Sequence, residues 1–162
     1  MYRTGHYGVS LLLYAPVGLL LLVLGAPGLA LLGGAAMLGL ARVPDYDHRV
    51  PFVRHRGPTH TFAFAVLVGV VLCWAGYLAA PELGLDPLLA GLVGFGVGTY
   101  GIVAHLVGDV LTPTGIEPFW PVSSRNYSLH VTTAESLLAN WTLLLLGVAV
   151  TVAVAVAGGR VA

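Results

Sequence analysis

The sequence predicts an all-α integral membrane protein, a bundle of about five transmembrane helices with a polar His/Asp site at one end. Three observations carry this reading. The 162 residues are 57% hydrophobic and only 9% charged, against roughly 25% charged in soluble domains, and the mean hydropathy is +0.90. Five apolar segments approach the ~20 residues needed to cross a bilayer. All six histidines fall on one side of the topology those segments define. So few charges cannot coat a water-facing surface, and lipid must be the main solvent. Every segment is needed to build one bundle, which predicts a single membrane-embedded domain over residues 1–162.

The first span runs from about Gly8 to Gly25 and the second from about Pro27 to Val43. Ala26-Pro27-Gly28 between them is a turn signal, with Pro27 suited to the first position of a new helix. Gly33-Gly34 interrupts the second span, so one long broken helix over this region is the alternative. The third span runs from about Thr59 to Ala80 and places His60 one turn inside it. Asp86-Pro87 reads as an N-cap followed by an N1 proline, opening a fourth span to about Gly108. Thr132-x-x-Glu135 has the form of a capping box and opens a fifth span to about Ala157. Gly94 and Gly98 have the small-xxx-small spacing that lets helices approach closely in lipid. Arg3 ahead of an apolar stretch also has the look of a signal peptide. The apolar run is long and no clean cleavage site closes it, so retention is expected.

Charge sets the orientation. Seven arginines balance seven acids, and there is no lysine. A neutral total argues against non-specific nucleic-acid binding, which needs a basic face. With five spans, Arg3, Arg42, Arg49, Arg54, Arg56 and Arg125 share one side, and Arg160 stands on the other with Glu82 and Asp86. The positive-inside rule puts the arginine-rich side in the cytoplasm. His6, His48, His55, His60, His105 and His130 fall on that same side, with Asp45, Asp47, Asp109 and Glu117. Cys73 is alone in an apolar run, which excludes an intrachain disulfide or a cysteine-based zinc site.

Ionisable groups at membrane depth are costly and are usually paired or functional. His105 and Asp109, four apart, share one helix face and can grip one ion together; an internal hydrogen bond would give the same spacing. Asp45 and Asp47 follow the second span, and His55 and His60 stand about a dozen residues on. Aspartates gathered this closely repel, and a divalent cation removes the repulsion while using neutral imidazoles as ligands. Mixed His/Asp ligation suits Zn²⁺ best, with Mn²⁺ or Fe as alternatives. Loop salt bridges to the nearby arginines would account for the aspartates but not for converging histidines.

Three ordered motifs carry a resemblance. Val43-Pro44-Asp45-Tyr46-Asp47-His48, His55-Arg56-Gly57-Pro58-Thr59-His60-Thr61, and His105-x3-Asp109-x2-Thr112-x2-Gly115 resemble the YdjM-type family of membrane-bound metal-dependent hydrolases. The family pattern is PD-x-DH, HRG-x-THS and H-x3-D-x2-T-x2-G before a proline-rich loop, which Phe119-Trp120-Pro121 fits. Thr61 stands where the family usually has serine. The match spans about residues 6 to 121.

That family is grouped with the zinc-dependent phospholipase C and nuclease superfamily. The resemblance implies His60, His105 and Asp109 as metal ligands, with Asp45 or Asp47 as ligand or general base and His6 as the early histidine. His55 opens the tighter motif and joins the candidate set; His48 and His130 stay open. The superfamily's late His-x3-Glu pair has only His130 and Glu135 here, five apart, so one or two ions are expected rather than three. The implied chemistry is metal-assisted hydrolysis of a phosphoester, in which the cation lowers the pKa of water and polarises the phosphoryl group. Asp45 or Asp47 would accept the proton. Arg56 could clamp a phosphate, or serve as a snorkelling anchor or an ion-pair partner of Asp47. Thr59, Thr112 and Thr114 read as helix caps, with the orienting of metal ligands as the alternative. The expected partners are the bilayer and a phospholipid or lipid-linked substrate. A divalent-metal or proton transporter and a non-catalytic scaffold are the alternatives; a transporter should carry ionisable groups near mid-bilayer.

Overall fold

The computed structural model describes residues 1–160, and every long element among them is a helix. These are α1 (Arg3–Val23), α2 (Pro27–Leu40), α3 (Phe62–Ala79), α4 (Pro87–Val110) and α5 (Leu137–Gly158), with short 3₁₀ turns at Pro44–Arg49, Pro58–His60 and Pro81–Leu83. Five helical stretches are long and apolar enough to cross a membrane, the second reaching that length as Pro27–Arg49. Leu31, Leu78, Leu92 and Leu138 are exposed, as lipid-facing residues are. α3 packs along α4, α1 packs along α5, and α1, α2 and α4 meet between the two pairs.

The first two spans are separate helices, joined by a turn in which Gly25 takes φ +72°. The other boundaries move for identifiable reasons. α1 begins at Arg3 rather than Gly8, because Asn140 Oδ1 accepts from the Tyr2 N–H and holds the entry to the helix. α2 stops at Leu40, so the chain reaches Asp45 inside a 3₁₀ turn rather than in a loop. α3 starts at Phe62, not Thr59. Thr61 is extended and accepts from the Phe64 N–H at 3.1 Å, so Thr61 is the cap and His60 lies just before the helix. Asp86 caps α4 as the sequence indicates, accepting from the Leu89 N–H at 2.7 Å.

The capping box at Thr132 and Glu135 does not form. Leu129 and Val131 donate backbone bonds to the Val110 and Leu111 carbonyls at the end of α4. The chain is therefore held across α4 until Ser136, whose hydroxyl caps α5 by accepting from the Ala139 N–H. The same bonds satisfy carbonyls that the end of α4 would otherwise leave without partners.

Close helix contact depends on glycine. A Cβ at Gly98 would lie 2.9 Å from the Gly69 Cα and 3.0 Å from the Val68 carbonyl oxygen, and one at Gly147 would lie 2.7 Å from the Gly8 oxygen. Leu40, Ala65, Ile102, Leu106 and Ile116 then form an apolar core directly beneath the polar end. Gly98→Val should cost about 1–3 kcal/mol of stability through overpacking. Gly96→Ala, where a Cβ meets nothing within 4 Å, should cost nothing measurable. Thermal unfolding in detergent compares the two, and equal stability would mean that α3 and α4 do not approach this closely.

Candidate metal centre

The site is assembled where α1 begins, α2 has ended, α3 is about to start and α4 finishes. His6 comes from the second turn of α1, Asp45 and Asp47 from the 3₁₀ turn after α2, and His60 from the 3₁₀ turn before α3. His105 and Asp109 come from one face of α4, where the helical repeat brings residues four apart together. His6, His60, His105 and Asp109 are each at most 1% exposed.

At the centre, His60 Nε2 lies 3.2 Å from His105 Nε2. Asp109 Oδ2 is 3.1 Å from His105 Nε2 and 3.3 Å from His60 Nε2. Asp45 Oδ1 closes the group at 3.6 Å from His60 Nε2 and 3.7 Å from His105 Nε2. The His6 ring stacks on His105 with centroids 3.9 Å apart and planes 6° apart. Its Nε2 is 3.6 Å from Asp109 Oδ1 and 4.0 Å from Asp45 Oδ2.

The tautomer of His105 follows from a neighbour on the backbone. Its Nδ1 is 2.8 Å from the Ala41 carbonyl oxygen, which can only accept, so Nδ1 carries the proton. A neutral His105 therefore presents a lone pair at Nε2, aimed at His60 and Asp109. Asp109 Oδ2 is buried with no hydrogen-bond donor, and His6 Nδ1 likewise has none. With His60 neutral, lone pairs face one another across 3.1–3.7 Å; a proton on His60 or a cation between the groups relieves that repulsion. Ligands held at ~2.1 Å around a tetrahedral ion stand ~3.4 Å apart. The donor set of imidazoles and carboxylates, without thiolate, fits a divalent cation. His6, Asp45, His105 and Asp109 form one group that can hold a metal ion.

Asp47 lies on the far side of His60. Its Oδ2 accepts from the Thr59 hydroxyl at 2.8 Å and stands 3.5 Å from His60 Nδ1. Its Oδ1 is 2.9 Å from His55 Nδ1. Asp47, His55 and His60 form a second group with metal-ligand spacing, and Asp45, His48 and His55 a third. His48 stacks on His55 at 3.6 Å, so His48 belongs with the outer residues. Exposed His130 is hydrogen-bonded to Ser128 and stands in none of these groups. Burial opposes charge on His60, but the Asp109 and Asp45 carboxylates outweigh it and raise its pKa above the ordinary histidine value. Burial lowers the pKa of His55, and Asp47 offsets only part of that.

Arg56 does not pair with Asp47. Its guanidinium donates to Asp109 Oδ1 at 2.6 Å, to the Thr112 hydroxyl at 3.0 Å and to the Gly115 carbonyl at 3.2 Å. It is buried and committed to Asp109. The Met1 amine also reaches Asp109 Oδ1, at 3.1 Å. Thr112 caps nothing; it accepts from Arg56 and donates to the Asp109 carbonyl. Thr59 orients Asp47, and Thr114 accepts from Asn126 through its carbonyl.

The family model of YdjM inner membrane proteins matches residues 1–161. The chain belongs to the YdjM inner membrane protein family. No curated protein and no solved structure matches it. Family membership and five apolar helices make it a multi-pass membrane protein.

In this YdjM-family chain, sequence reasoning missed two supports of the site. The Ala41 carbonyl leaves no signal in side-chain identity. Asn140 does: a lone amide in an apolar helix is costly unless used. Here it accepts from the Tyr2 N–H and donates to the Ala134 and Ser136 carbonyls, tying the start of α1 to α5. Arg56→Met leaves Asp109 without its main counter-charge. Loss of one partner from a buried pair should lower stability by about 3–5 kcal/mol, read by denaturation of metal-free protein. A change under about 1 kcal/mol would show that the pair is not buried as described.

Proposed function

We propose that this protein is a membrane-bound, metal-dependent hydrolase that cleaves a phosphoester at the cytoplasmic face of the bilayer. The observation that carries the proposal is the convergence of His60, His105, Asp109 and Asp45, whose imidazole nitrogens and carboxylate oxygens stand 3.1–3.7 Å apart. The motif resemblance to the zinc-dependent phospholipase C and nuclease superfamily supports hydrolysis. The arginine bias supports a cytoplasmic site. Zn²⁺ suits the donor set best, with Mn²⁺ or Fe as alternatives, and the close packing of the inner group favours one or two ions.

His6, Asp45, His105 and Asp109 would hold the ion, with His60 Nε2, 3.2–3.6 Å from His105, Asp109 and Asp45, as a further ligand. A divalent cation bound there supplies a Lewis acid for the phosphoryl oxygen and lowers the pKa of water toward ~7. The other residues set the geometry. Ala41 fixes the His105 tautomer, and Thr59 with Asp47 fixes His60 from its Nδ1 side. Such outer partners typically carry 10–100-fold in metal affinity. Asp45 is 28% exposed, and a carboxylate oxygen of Asp45 not committed to the ion would take the proton from water. Arg56 balances Asp109 rather than clamping substrate. A lipid or lipid-linked phosphoester suits a site at the bilayer surface. Along the apolar helices, residues 7–40, 62–79, 87–104 and 137–158 contain no Asp, Glu, Arg, Lys or His, unlike the mid-bilayer pathway a transporter needs.

Gently purified protein should carry stoichiometric divalent metal. His60→Ala and Asp109→Ala should lose it, and Asp47→Asn should weaken it about 10–100-fold. Phosphoester hydrolysis should vanish with a chelator and return with Zn²⁺. Elemental analysis finding no metal in the wild type would end the hydrolase reading.

A further inference from the structure

A second feature of the polar end is a cavity of about 260 Å³ between the start of α1 and the Pro44–Arg49 turn. Arg3, Arg42, Asp45, Tyr46, His48 and Arg49 line it. Asp45 belongs to the inner group and is its one partly exposed member. The cavity therefore leads from the surface onto the inner group.

The charge balance of its wall is unusual. Among the described residues, Arg3, Arg42 and Arg49 have no carboxylate within ion-pair distance, whereas Arg54 pairs with Glu117 and Arg56 with Asp109. The Arg42 and Arg49 guanidiniums stand 5.8 and 5.4 Å from the centroid of one Tyr46 ring. That ring holds both beside the cavity without neutralising either. A carboxylate at the foot of a cavity repels a phosphate, and three uncommitted guanidiniums reverse the sign. A larger cavity of about 370 Å³ lies beside Arg54 and Arg56, but its guanidiniums are already spent on Glu117 and Asp109.

We propose that the cavity bounded by Arg3, Arg42 and Arg49 is the receptor for the phosphate of a net-anionic headgroup, which it delivers to Asp45 and the metal centre. The destination of that phosphate rests on the hydrolase reading. The planar fork of arginine matches phosphate oxygens in pairs. The volume is below the roughly 300–1,000 Å³ of pockets that engulf drug-sized ligands, so it accepts a headgroup and leaves acyl chains in the bilayer. A zwitterionic headgroup would bring a second cation against three guanidiniums, which selects the phosphatidate type over phosphatidylcholine. A soluble phosphomonoester shares the recognised chemistry. Snorkelling anchors would hold bilayer phosphates from outside the bundle and give no discrimination among ligands in detergent.

The test uses metal-loaded full-length protein in detergent, with calorimetric binding of short-chain phosphatidate, short-chain phosphatidylcholine and glycerol 3-phosphate. The wild type should bind phosphatidate and discriminate against phosphatidylcholine. Arg42→Gln/Arg49→Gln should bind phosphatidate at least about tenfold more weakly, the scale of lost charge-assisted hydrogen bonds, with metal content unchanged. Glycerol 3-phosphate should show the same arginine dependence; weaker binding than phosphatidate assigns the site to lipid, and equal binding assigns it to a soluble phosphoester. Arg49→Gln alone, at an exposed position, replaces the double variant if that fails to fold, with about a threefold loss expected. Wild-type affinity in a folded, metal-loaded variant would overturn the receptor, even if hydrolysis persists. Arginine-dependent binding without turnover would keep the receptor and remove the hydrolase reading.

Discussion

Asp109 carries a charge in a place where charge is expensive. It is 1% exposed at the end of a helix whose other ionisable side chains are His105 and Tyr100, and burying an ionised carboxylate costs several kcal/mol unless partners compensate. Much of the polar end supplies that compensation. Arg56 reaches Oδ1 from the loop before α3, while His60 from the 3₁₀ turn before α3 and His105 from one turn back on α4 approach Oδ2. Arg56 holds its position with φ +57°, a backbone conformation costing about 1–2 kcal/mol for a residue with a Cβ. The cost is tolerated because the guanidinium makes three bonds there. One face of the carboxylate is thereby neutralised. Oδ2 faces the Nε2 atoms of His60 and His105, where a proton on His60 or a bound cation supplies the positive charge.

The ends of the helices make this possible. α2 stops at Leu40, which leaves the Ala41 carbonyl among the unpaired acceptors of a helix terminus. His105 uses it. An acceptor that would otherwise need water therefore fixes which imidazole nitrogen faces the site. The 3₁₀ turn that follows carries Asp45 and Asp47 to opposite sides of His60, so alternate residues acquire different surroundings. The inner carboxylate meets the imidazole Nε2 atoms, and the outer one holds Thr59 and His55.

Much of this was legible in the sequence because it depends on composition and period. Low charge and five apolar runs gave the spans, and helical spacing paired His105 with Asp109. The alternation of five spans put His6, His55, His60 and both motif aspartates at the same end. What was not legible depends on tertiary geometry. Asp45 and Asp47 are alike in sequence, and only the hand of the 3₁₀ turn separates them. Arg56 has several carboxylates within reach along the chain, but its partner Asp109 is 53 residues away. Thr132 and Glu135 have the spacing of a cap, yet the loop is held by the end of α4, and Ser136 takes that role.

X-ray absorption at the metal edge of gently purified protein tests the central claim most directly. Mixed imidazole-nitrogen and carboxylate-oxygen ligation at ~2.0–2.2 Å, with no sulfur, is the expected result. An ion surrounded only by water, or no bound ion at all, would contradict the shared centre.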